Sequence, residues 1–142
     1  MSSKEGVVRL SDGAVLRLKV VIVDAREAGF SPYGGVNIFV KPIGGLSVKE
    51  IPENLRNEMR DKPIASGLEP RDGWEIIDIE EFEPATDEMM VKTSKGLFLV
   101  KVKAEPVMAA RNMGYKPAPE LNEPLYSLNW VYKVSWKPIK EE

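Results

Sequence analysis

The sequence has no cysteine, no histidine and no glutamine. Without cysteine there is no disulfide, no thiolate nucleophile, no iron–sulfur ligand and no cysteine-type zinc site. Without histidine there is no Ser-His-Asp triad, no imidazole acid–base group and no imidazole metal ligand. Carboxylate, lysine, tyrosine and serine chemistry remains, together with oxygen-ligated Mg²⁺ or Ca²⁺. Missing Gln and Cys beside abundant Lys and Glu is also the balance of a thermophile's protein. No stretch approaches the roughly 18 apolar residues of a membrane span. The opening "MSSKEGVVRL" lacks the apolar run of a secretory signal. These absences predict a cytoplasmic protein with no membrane partner.

What is present fits one globular domain over residues 1–142, with 43% apolar and 30% charged residues. Asp12-Gly13 is a hairpin signal, because Gly tolerates the positive φ of tight turns. It joins a short strand at 7–10 to a long one near 14–26. Leu16, Leu18, Val20 and Ile22 share one parity of that long strand. From Val20 to Val23 both faces are apolar, which predicts a strand in mid-sheet or one covered on both sides. "VNIFVKP" is a further strand. "PENLRNEMRD", 52–61, predicts a helix that lays Leu55 and Met59 on a sheet. "WEIIDIEEFE", 74–83, reads as one strand. "EMMVKT" and "LFLVKVKA" flank a second hairpin signal, Ser94-Lys95-Gly96. "PVMAARNM", 106–113, predicts a short helix opened by Pro106. Together these predict a mainly β fold, an antiparallel barrel or two-layer sandwich with one or two short helices; an α+β arrangement is the alternative.

The last strand, "SLNWVYKVSWKP", holds two tryptophans, a tyrosine and lysines. Its even positions are Leu128, Trp130, Tyr132, Val134 and Trp136; its odd positions are mostly polar, with Lys133 and Lys137. Rings and cations therefore fall on opposite faces. A platform for single-stranded bases needs them together, so the ring face predicts core, or a face buried on another chain. At about 3.3 Å per residue the strand nears 40 Å, so it must bend or reach past its sheet.

Charge is segregated. Residues 48–88 hold five basic and thirteen acidic side chains, and residues 92–140 hold nine and three. Arg17, Lys19, Lys101, Lys103, Lys133 and Lys137 are outward by parity and form a candidate basic face if their strands are neighbours. The competing expectation is cross-strand pairing with Asp78, Glu80, Glu81 and Glu83. "GFSPYGG" carries Phe30 and Tyr33 on a glycine-rich loop, a candidate for recognition; the alternative is that both rings fold back to cap the core. Tyr115 and Lys116 precede a proline-rich run and form a second candidate. No catalytic or metal-ligand spacing is present and no cofactor is implied; Asp24 and Glu27 lie near the glycine loop, and Asp78, Glu80 and Glu81 cluster by sequence. The chain reads as a binding or assembly domain making protein–protein contacts, including with its own copies. A nucleic-acid-backbone binder is the alternative, and a carboxylate- or Mg²⁺-dependent enzyme the third reading.

Overall fold

The computed structural model describes residues 3–65, 67 and 69–140. In chain order it contains β1 (Gly6–Leu10), β2 (Val15–Glu27), β3 (Ile38–Glu50), α1 (Glu53–Met59), β4 (Trp74–Ile77), β5 (Ile79–Glu83), β6 (Ala85–Thr93), β7 (Gly96–Asn112) and β8 (Leu125–Pro138). Every strand pairing is antiparallel. One sheet runs β3-β2-β1-β5. In the other, β7 has β8 along one side and β6 followed by β4 along the opposite side. Neither sheet closes, so the fold is a two-layer sandwich and not a barrel. The lone helix among the described residues, seven residues long, also sets aside the α+β alternative.

The two hairpin turns sit where their residues predict. The Asp12 carboxylate accepts from the Ala14 N–H at 2.9 Å and Gly13 takes φ 89°, which turns the chain from β1 into β2. Leu16, Leu18, Val20 and Ile22 of β2 are buried and meet Phe98, Val100, Val102 and Leu128 of the opposite sheet in one core cluster. β2 does lie in mid-sheet. Its other face is not covered, however: Val21 and Val23 are about half exposed.

Three segments differ from the sequence reading, each because a partner strand outweighs a local signal. "VNIFVKP" is only the start of β3, which continues through Gly44 and Gly45 to Glu50 against β2. Pro42 is tolerated in it because β3 is an edge. Its partner Ile22 sends its N–H to the Asp87 carboxylate at 2.8 Å, so the missing Pro42 donor falls on the free side. The segment 74–83 is two strands: β4 pairs with β7, β5 pairs with β1, and the chain changes sheets at Asp78. Its imperfect alternation is the trace of that crossing. The segment 106–113 is strand as far as Asn112, not helix, because β8 on one side and β4 on the other supply its ladder partners. Pro106 sits beside a bulge, between the stretches paired to β6 and β4. Leu55 and Met59 of α1 are buried as expected, outside the main cluster.

β8 does not overhang its sheet, because β7 is longer still, at 17 residues. The even side chains of β8 face inward, but Tyr132 and Val134, on its open edge, remain exposed. Leu128 is buried, and Tyr126, Trp130 and Trp136 pack against the core. A Cβ on Gly44 would lie 2.6 Å from the Trp130 ring and 2.8 Å from the Tyr132 hydroxyl. Gly44 therefore lets β3 approach β8 across the sandwich. Among the described residues no helix is long and apolar enough to cross a membrane.

Candidate functional site

The loop 28–37 joins β2 to β3 and closes one end of the sandwich. Its backbone is tightly held. Asn37 exchanges hydrogen bonds with Ala28 (2.7 Å) and Gly29 (2.8 Å), and the Ser31 hydroxyl donates to the Val36 carbonyl at 2.6 Å. The Trp136 indole N–H donates to the Tyr33 carbonyl at 3.1 Å. Gly34, at φ 81°, lies against Phe98, where a Cβ would come within 2.8 Å of the ring. The backbone thus caps the core, but the two rings do not fold back onto it. Phe30 is 81% exposed and Tyr33 is 72% exposed. The neighbouring β6–β7 hairpin is tied to the loop's root. The Glu27 carboxylate accepts from the Ser94 hydroxyl (2.6 Å) and N–H (2.8 Å), and these bonds hold its carboxyl below the usual range.

The same two strands carry an apolar outer face that the sequence reading did not single out. Val21 stands directly opposite Ile43, with Val23 and Phe39 nearby, and all four are about half exposed. Cations rim this face. The Arg26 guanidinium lies over the Phe39 ring at 5.6 Å and pairs with Asp24 at 3.1 Å, and Lys41 is two residues from Phe39.

Tyr115 and Lys116 do not join this site. They follow the far end of β7, about 50 Å along the strand from the loop end. Tyr115 is partly exposed, but Lys116 is buried. Its ammonium donates to the Arg60 carbonyl (2.8 Å) and Asn122 Oδ1 (3.0 Å), and its backbone pairs with Pro63 and Ala65. Lys116 therefore ties the proline-rich connector to the end of α1.

The lysines divide between the two sheets. Lys101, Lys103, Lys133 and Lys137 share the outward face of β7 and β8, with Lys103 directly opposite Lys133. Glu105 bridges that pair, at 3.0 Å to Lys133 and 4.0 Å to Lys103. Arg17 and Lys19 lie on the other sheet and bind Glu5 at 2.8 Å and 4.0 Å. Of the acidic run, Glu81 pairs with Arg9 and Glu83 with Lys4. None of the four lysines on β7 and β8 is paired to it, because β5 belongs to the opposite layer.

Sequence reasoning also missed a polar cluster at the end opposite the loop. Asp12 Oδ2 accepts from Arg111 Nη1 at 3.0 Å and from the Tyr126 hydroxyl at 2.8 Å, while Arg111 Nε donates to Glu75. The Asp12 side chain is only 7% exposed. Burial, then the Asp12 carboxylate, pushes the Tyr126 phenol well above its ordinary range. No spacing announces this cluster, because its members come from the first turn, β4, β7 and β8. Each member of the Asp12–Arg111–Tyr126 core is hydrogen-bonded within it, which makes it a structural lock. Among the described residues no group of three or more carboxylates converges to hold a metal ion. A cleft of about 610 Å³ beside the end of β3 mixes Lys49 and Arg56 with Glu120 and Glu123, and it contains none of the predicted site residues.

The fold and this geometry define a two-layer β-sandwich with a rigidly anchored aromatic loop at one end. No family model, curated protein or solved structure matches the chain.

Proposed function

We propose that the chain is a binding and assembly domain that contacts a protein partner through loop 28–37 and the outer face of β2 and β3. The observation that carries this reading is the exposure of Phe30 and Tyr33 on a backbone fixed by Trp136, Phe98 and Ser31. Large rings held out by an ordered loop bind at low entropic cost and serve as interface anchors. Val21, Val23, Phe39 and Ile43 extend the apolar area, and Arg26 and Lys41 flank it. The matching partner is an apolar groove with an acidic rim.

The lysine face of β7 and β8 supports a second reading, the binding of a nucleic-acid backbone, because Lys103 stands opposite Lys133 with Lys101 and Lys137 on the same face. One experiment separates the two. A photo-crosslinking residue is placed at Phe30 in one chain and at Lys101 in another, and both are irradiated in cells. The loop reading expects protein adducts from position 30 that vanish with Tyr33→Ala. Nucleic-acid adducts from position 101, with none from position 30, would replace it with the second reading.

A further inference from the structure

β8 is a long edge strand whose protection is limited to two lysines, Lys133 and Lys137. From Leu125 to Lys137 it contains no proline, glycine or bulge, and among the described residues only β7 pairs with it. Exposed edges of this kind template pairing with another strand. β3, the edge above it, is interrupted by Pro42 and Gly44-Gly45. The direction of the free bonds on β8 follows from its ladder. Ile139 N–H donates to the Leu97 carbonyl at 2.8 Å, one step beyond the Phe98–Pro138 pair. Odd residues of β8 therefore bond to β7, and even residues point N–H and C=O to the free side. Trp130 opposite Pro106, which has no N–H, agrees with this. The open positions are Leu128, Trp130, Tyr132, Val134 and Trp136. Around them Val131, Tyr132 and Val134 are 45%, 37% and 39% exposed.

We infer that this edge pairs with β8 of a second copy of the chain, antiparallel about Tyr132, to form one continuous sheet. The surface is separate from the loop, so the inference does not rest on the reading above. Self-pairing about Lys133 would set Lys133 against itself, and pairing about Ser135 would set it against Lys137; like charges directly opposite are destabilising. Pairing about Tyr132 sets Lys133 against Val131, Lys137 against Ser127 and Val134 against Trp130, and uses the strand from 126 to 138. It covers the exposed side chains and sets no two lysines directly opposite; the two Lys133 residues become diagonal neighbours, each already paired with Glu105. The two Trp136 positions, each supporting an aromatic loop, then lie about 26 Å apart along the strand direction.

Light scattering and sedimentation on the full chain test this. The wild-type chain is expected at twice the 15.9 kDa of one copy; a monomer at every concentration overturns the inference. Tyr132→Pro removes a free-side donor and the ring that meets Trp130 edge-on, but no bond to β7, so it should give a folded monomer of lowered stability. Should that variant not fold, position 131 decides, because Val131 is exposed and its side chain takes no part in the β7 ladder; Glu105 stands opposite it on β7, so urea unfolding of each variant is measured alongside its Kd. Val131→Lys, set against Lys133 of the other copy, is expected to weaken the dimer, and Val131→Glu to tighten it, each by roughly two- to thirtyfold in Kd from two symmetric contacts. A dimer indifferent to both changes overturns the inference. The chain has no cysteine, so Tyr132→Cys alone should oxidise to a covalent dimer, and Lys101→Cys should not.

Discussion

Replacing Asp12 by alanine removes the acceptor on which three donors converge. The Ala14 N–H, the Tyr126 hydroxyl and Arg111 Nη1 all bond to its carboxylate, at 2.9, 2.8 and 3.0 Å. The side chain is 7% exposed and that of Arg111 is 20% exposed, so water does not readily take its place. Breaking a buried ion pair costs about 3–5 kcal/mol. Arg111 keeps its bond to Glu75, which sets the estimate at the lower end, about 3 kcal/mol. With a urea m-value of about 2 kcal/mol per molar, the unfolding midpoint falls by about 1.5 M. Tyr126→Phe alone removes one hydroxyl and should cost about 1 kcal/mol. The double variant should cost less than the sum, because the hydroxyl has no acceptor once Asp12 is gone. Urea unfolding followed by tryptophan fluorescence measures all three variants. A loss below about 1 kcal/mol for Asp12→Ala, or strict additivity in the cycle, would refute the view that this cluster locks the end of the sandwich.

Gly44→Val drives a side chain into the Trp130 ring and should destabilise by about 1–3 kcal/mol; Gly45→Val, with nothing within 4 Å of its Cβ, should cause no loss, and paired thermal melts compare the two. Burial and Asp12 raise the folded pKa of the Tyr126 phenol. Its contribution is therefore whole below the unfolded value near about 10 and declines as pH rises past it. Wild type should lose thermal stability between about pH 10 and about pH 11 more steeply than Tyr126→Phe, and equal slopes would contradict the assignment.

Local chemistry made much of the fold legible. Asp12-Gly13 and Ser94-Lys95-Gly96 set turns through glycine φ and side-chain acceptors, and those bonds close within a few residues. The parity of β2 and β8 named the inward faces, because a strand alternates whatever its partner. The segment 106–113 misled because Pro106 and the alanines satisfy a helix start locally, whereas β8 and β4 are remote in sequence. Asp78 misled because nothing in "WEIIDIEEFE" states that its halves join different sheets. Phe30 and Tyr33 were recognisable as loop rings, but their exposure was not, since that depends on Gly34 fitting Phe98 and on Trp136 holding the Tyr33 carbonyl.

The absence of cysteine and histidine, the two turns and the separation of rings from lysines on the last strand belong to the sequence alone. Each follows from residue chemistry or from the two-residue period of a strand. Which lysines share a sheet, which carboxylate reaches Arg111 and Tyr126, and which strand remains an open edge were decided only by tertiary structure. Those outcomes depend on strand order, and strand order is set by burying one core between two layers, a condition on the whole chain that no short stretch records.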